Sequence, residues 1–179
     1  MNVIAEPGTE TLRHDPAEKW TTERVLSIHH WTPTLLSFRT TRYRDFRFTP
    51  GHYARLGLGV GEDVVWRVFS LVSATYDDYL EFLAVLVPGG TFSERLGKLR
   101  VGDEIKIEKA CYGFLTVDQL APGRDLWLLS SGTGLGPFLS IWSWSSSGPC
   151  SSPTDMSQEA PTATGSCGDG GPRQTISAT

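Results

Sequence analysis

From residue 17 onward, apolar and polar positions alternate in short runs separated by turn residues, the pattern of half-buried β-strands. The runs predict strands at Thr22–Ile28, Leu35–Thr41, Tyr53–Leu58, Val64–Leu71, Leu80–Val87 and Glu104–Lys109. The last of them, Glu104-Ile105-Lys106-Ile107-Glu108, alternates at every position directly after the turn Val101-Gly102-Asp103. One helix is predicted at Thr91–Leu99. Its opening, Thr91-Phe92-Ser93-Glu94, has the form of a capping box, with Thr91 accepting from the backbone and Glu94 reaching back. Six short antiparallel strands are enough for a small closed barrel, an arrangement that removes exposed edges.

Beyond Pro122-Gly123 the pattern changes. Leu126-Trp127-Leu128-Leu129-Ser130 is a continuous apolar run, as expected for a strand covered on both faces. A glycine-rich turn follows, Gly132-Thr133-Gly134-Leu135-Gly136-Pro137, and Phe138-Leu139-Ser140-Ile141 reads as the first turn of a helix. Strand, turn and helix open a parallel α/β domain that is not completed. From Trp142 to Thr179 more than half of the residues are Ser, Thr, Gly or Pro, and only Asp155, Glu159, Asp169 and Arg173 are charged. Such a stretch buries too little apolar surface to offset its ordering entropy and is expected to be disordered. The expected organisation is a flexible polar arm at 1–16, an all-β barrel domain at 17–120, the beginning of an α/β domain at 124–141, and a low-complexity tail at 142–179.

Composition narrows the function. Sixteen Lys and Arg stand against 20 Asp and Glu, a net charge of -4, which argues against nucleic-acid binding. There is no apolar run long enough for a membrane-spanning helix. The start, Met1-Asn2-Val3-Ile4-Ala5-Glu6-Pro7, lacks the basic and apolar regions of an export signal, so a soluble, cytoplasmic protein is expected. Cys111, Cys150 and Cys167 have neither zinc-ligand spacing nor the makings of a disulfide framework. His14, His29, His30 and His52 lack carboxylate or thiol partners at ligand spacing, so no metal site is expected.

Three segments have the residues for chemistry. In Trp66-Arg67-Val68-Phe69-Ser70, strand alternation puts Arg67 and Phe69 on one face and Val68 and Ser70 on the other. An Arg beside an aromatic suits a ligand with both a phosphate and a flat ring; a surface Arg next to a core Phe gives the same sequence. Pro88-Gly89-Gly90-Thr91-Phe92-Ser93 offers free amides and two hydroxyls as a pyrophosphate cradle, or is simply a turn before a capped helix. The turn at Gly132–Pro137 lets backbone approach a ligand at a helix N-terminus, but lacks the Lys-Ser or Lys-Thr ending of a nucleoside-triphosphate loop and the usual dinucleotide spacing. Asp77 and Asp78 belong to a turn, and Cys111 reads as a partly buried thiol.

Taken in order, these pieces resemble the bacterial ferredoxin–NADP(+) reductases. The resemblance runs from about Trp20 to Ile141 through Thr49-Pro50-Gly51-His52-Tyr53, Arg67-Val68-Phe69-Ser70 in the place of the family's Arg-x-Tyr-Ser flavin motif, Leu80-Glu81-Phe82, Val87–Ser93, Gly102-Asp103-Glu104, Gly113-Phe114-Leu115 and Leu128–Pro137. The resemblance implies a six-stranded FAD-binding barrel followed by an NADP(H)-binding α/β domain. It implies Arg67 on the FAD pyrophosphate, Phe69 where the family's Tyr stacks on the isoalloxazine, and Ser70 as the catalytic residue, hydrogen-bonding near flavin N5. Val68 lies within the same motif, Leu83 is implied near the cofactor, Thr91, Phe92 and Ser93 at its phosphates, and Thr133 where flavin and nicotinamide meet. The reaction implied is hydride transfer between NADPH and FAD, with single electrons exchanged with ferredoxin or flavodoxin. Arg39, Arg42, Arg44 and Arg47 are a candidate surface for steering an acidic carrier; a solvated basic loop reads the same way.

The chain departs from the family after Ile141, where the resemblance stops mid-helix and the Ser/Thr/Gly/Pro-rich stretch begins. A frameshift or truncation is the expectation, with an inactive reductase as one consequence. Two other readings stay open: a related flavin-dependent NAD(P)H reductase with another acceptor, and a non-catalytic flavin-binding or structural barrel.

Overall fold

The computed structural model describes residues 17–121, 125–145, 162–165 and 173–178. The six predicted strands all form: β1 (Trp20–His30), β2 (Leu35–Thr41), β3 (Tyr53–Leu58), β4 (Val65–Ser70), β5 (Tyr79–Val85) and β6 (Glu104–Glu108). They assemble in the order β4-β3-β6-β1-β2-β5, every pairing antiparallel. β1 is longer than its apolar alternation suggests because it serves two neighbours. Trp20–Arg24 pair with β6 and Val25–His30 with β2, and the register shifts between Val25 and Ser27. Such an irregularity bends a strand and turns the corner of a barrel.

The inward residues make one core, including Val25, Leu36, Phe38, Leu56, Phe82 and Ile107, each no more than 1 % exposed. The two ends of the sheet approach each other but pair only at one point. Leu71, just past β4, forms an isolated bridge with Phe82 of β5, and Val72 N–H donates to the Glu81 carbonyl at 2.9 Å. Along the rest of β4 the barrel has a seam.

Helix α1 (Thr91–Leu96) is shorter than predicted and begins differently. Gly90, extended at φ -82°, is the N-cap, and no side chain caps the helix. Thr91 is the first helical residue, so the expected Thr91–Glu94 capping box does not form. The Ser93 hydroxyl instead accepts the Val87 N–H at 3.0 Å. Phe92 and Leu96, one turn apart, bury against the barrel. Arg95 ties the helix to the β3–β4 hairpin: its guanidinium donates to the Leu58 and Asp63 carbonyls and to both carboxylate oxygens of Asp63.

The strand–turn–helix after the barrel forms as read, with β7 (Asp125–Ser130), a 3-10 turn at Gly132–Gly134 and α2 (Leu135–Ser145). The unit sits on the barrel. Ser140 Oγ donates to the Ser73 carbonyl at 2.9 Å in a buried contact, and Tyr76 Oη donates to the Ser143 carbonyl at 3.3 Å. β7 is not covered on both faces. Leu128 is buried on the α2 side, but Trp127 and Leu129 are 67 % and 68 % exposed on the other. The expected disordered tail also differs where it is described: β8 (Thr162–Gly165) pairs antiparallel with β9 (Arg173–Ala178), which pairs parallel with β7. Backbone pairing along a strand edge does not require apolar side chains, so composition gave no sign of it. The rest of that tail, and the arm at 1–16, lie outside the described residues.

Candidate functional site

Register places the Arg67 motif. Arg67 and Phe69 lie opposite Leu56 and Ala54 of β3, both fully buried, so they share the inward face; Val68 and Ser70 lie opposite Arg55 and Tyr53 on the outer one. The two inward residues meet different surroundings. Phe69 is half-buried and leans on the core, its ring 5.3 Å from that of Phe92 and 6.5 Å from those of Phe38 and Phe82. Arg67 is exposed at the seam; its Nη1 donates to the Trp66 carbonyl at 2.8 Å, and among the described residues it makes no ion pair. Val68 is 61 % exposed.

The Phe69–Phe92 contact brings β4 against the start of α1. There Gly89 has φ +72° and open space around it. The first helical hydrogen bond runs from Glu94 N–H to the Gly90 carbonyl, which leaves the N–H groups of Thr91, Phe92 and Ser93 without helical acceptors. Thr91 is exposed and Ser93 half-buried, while Phe92 is 4 % exposed and points into the core. An exposed guanidinium without an ion pair, two residues along the strand from the contact with the uncapped helix start, adds to these amides as a donor set for phosphate oxygens. The residues present fit a pyrophosphate with an attached flat ring.

The glycine turn approaches the other end of β4. A Cβ built on Gly136 would lie 3.8 Å from the Ser70 Cβ and 3.3 Å from Val72. Ser70 therefore lies beside the last part of the glycine segment, at the start of α2, and Thr133, three residues before Gly136, is half-buried. Leu83 is half-buried and packs against the cluster of Leu128, Leu135 and Ile141, beneath the β7–α2 unit.

The arginine cluster is largely committed within the protein. Arg42 donates to the carbonyls of Thr75, Asp77 and Phe46 at 2.7–2.9 Å. Burial and the neighbouring Arg47 lower its pKa, partly offset by Asp77 and Asp78. Arg47 donates to the carbonyls of Arg44 and Phe46, and Arg39 pairs with Glu81 at 3.0 Å while lying over the Tyr79 ring. Burial pushes the Cys111 thiol up to about 12, so it is a neutral, unreactive group. Among the described residues no group of His, Cys, Asp and Glu could hold a metal ion. Sequence reasoning missed one feature, an open cleft of about 520 Å³ between the Thr49–His52 turn and the Gly113–Gln119 loop. Its walls include residues of two segments of the resemblance, Thr49–Tyr53 and Gly113–Leu115, for which the sequence suggests no ligand role.

The class follows from these relationships and from likeness to known proteins. Residues 27–114, most of the barrel, match the family described as the oxidoreductase FAD-binding domain. The segment from barrel to α2 is similar to ferredoxin–NADP reductases. Over 120 residues it is 46 % identical to the ferredoxin–NADP reductase of Pseudomonas aeruginosa, covering 67 % of this chain and 46 % of that protein. Over 122 residues it is 37 % identical to the flavodoxin/ferredoxin–NADP reductase of Escherichia coli, covering 68 % and 49 %. The crystal structure of a ferredoxin NADP+ reductase from Neisseria gonorrhoeae with bound FAD and NADP superposes with a TM-score of 0.67 at 41 % identity, over 70 % of this chain and 51 % of that one. The chain thus spans about half the length of the curated relatives it matches.

Proposed function

We propose that this chain is the FAD-binding part of a ferredoxin- or flavodoxin–NADP(+) reductase, working in the cytoplasm. The observation that supports this most directly is Arg67, exposed at the seam without an ion pair among the described residues and on the same strand face as Phe69, whose ring meets Phe92 at the uncapped start of α1. Arg67 neutralises the pyrophosphate, and the amides of Thr91, Phe92 and Ser93 receive its oxygens. Phe69, braced by Phe92, offers an aromatic surface to the flat ring, with no hydroxyl to add a hydrogen bond. Val68 contributes its exposed stretch of strand. Ser70 holds a hydroxyl next to the glycine turn, where Thr133 meets the nicotinamide of NADP(H). When bound, FAD would supply the redox chemistry, hydride exchange with NADPH and single-electron exchange with the carrier.

The test is reconstitution of the full chain with FAD, desalting and a visible spectrum, followed by anaerobic addition of NADPH. A retained flavin spectrum that NADPH bleaches is the expected result. A folded, colourless protein overturns the cofactor assignment. A yellow protein that NADPH leaves oxidised keeps the binding site and removes the reductase activity from this chain.

A further inference from the structure

The barrel interior contains a carboxylate that the flavin site does not use. Thr21 and Glu23 stand two residues apart on the inward face of β1, opposite Ile107 and Ile105, and are 2 % and 1 % exposed. One oxygen of Glu23 is fully engaged. Arg24 N–H donates to Thr41 Oγ1 at 2.9 Å, which commits the only hydroxyl hydrogen of Thr41 to Glu23 Oε2 at 2.6 Å. The carboxylate is thereby fixed in direction.

Its other oxygen, Oε1, is buried without a hydrogen-bond partner, and so is Thr21 Oγ1. Among the described residues Glu23 makes no ion pair. Two orphaned oxygens on neighbouring inward positions, one able to donate and one able only to accept, are the requirement for an internal water. A water accepts from the first and donates to the second, and with its two hydrogen bonds meeting near the tetrahedral angle it bridges oxygens about 4.5–5 Å apart.

We propose that the barrel interior binds one resident water between the Thr21 hydroxyl and Glu23 Oε1, the end of a chain running from Arg24 N–H through Thr41 and Glu23. The Thr21 hydroxyl donates to the water, and the water donates to Glu23. The site belongs to the barrel and does not depend on FAD.

Water-proton relaxation dispersion of the full chain counts long-lived internal waters, and a crystal structure fine enough to show ordered water locates them. The expected result is density within hydrogen-bond distance of both oxygens. Thr21→Val, which keeps shape and removes the hydroxyl, should lower the count by one, and Thr21→Ser should restore it. Glu23→Gln should fold and retain the water, because with its oxygen kept on the Thr41 hydroxyl the amide nitrogen donates to the water. An unchanged count in a folded Thr21→Val variant overturns the proposal. So does a direct Thr21–Glu23 hydrogen bond in the crystal, or density there that exchanges for rubidium or thallium and so marks a cation.

Discussion

A Cβ at position 51 would lie 1.7 Å from the Leu115 carbonyl oxygen. Gly51, at φ +94°, and Leu115 thus lock the turn before β3 beneath the loop that follows β6, next to the Tyr53–Tyr112 bridge. Gly51→Ala combines a left-handed backbone with a backbone clash that no rotamer relieves. It should destabilise the barrel by about 2–4 kcal/mol, read as a lower urea midpoint at unchanged slope.

Arg42 is expected to matter for stability more than for docking. Arg42→Met removes the donor from three carbonyls at once and should cost about 2–4 kcal/mol in chemical denaturation. Arg42→Lys should recover only part of that, because an ammonium cannot reproduce the planar fork. A loss of carrier binding at full stability would return Arg42 to the surface role its sequence suggests.

At the seam, Arg67→Ala should weaken FAD binding by about 1.5–3 kcal/mol, the range of a hydrogen bond to a charged group. A fluorescence titration of the folded variant measures it directly. Because Arg67 bonds only a carbonyl of its own strand, the unfolding midpoint of the apoprotein should barely move.

Cys111 gives a pH-dependent signature. Its pKa is raised from 9.0 to about 12, chiefly by burial. The unfolded thiol therefore loses its proton at lower pH than the folded one, and stability falls as pH rises from about 9 towards 12. Below 9 both states are protonated and the group contributes no slope. Cys111→Ser should flatten that alkaline decline. At pH 8, alkylation followed by peptide mapping should find Cys111 unmodified until the protein unfolds.

The barrel was legible because its strands alternate: β2 and β3 begin and end where the pattern does, and alternation alone put Arg67 and Phe69 on one face. The environments of those two residues were not legible. They depend on the seam beside β4, which arises from strand order and leaves no mark on the local sequence. The same holds for Arg42, whose carbonyl partners come from residues 4 to 35 positions away. The capping box at Thr91 failed for a local reason: a glycine one residue earlier takes the cap position without strain and frees the Ser93 hydroxyl for Val87. Leu83 is implied near the cofactor by resemblance alone, and its packing against Leu128, Leu135 and Ile141 is a tertiary relationship that the local sequence does not carry.

The seating of α2 bears on how such enzymes could exchange parts. Ser140 and Ser143 bond to the barrel, Gly136 lies against β4, and Ile141 packs with Leu83 and approaches Gly51. The chain passes from barrel to α/β architecture near residue 121, yet the physical border runs on the far side of this helix. A chimera joined at the linker would strip the barrel of its own flank. One joined beyond residue 145 would carry the flank with it, so recombination between nucleotide-binding lobes should succeed where the crossover respects packing rather than secondary-structure type.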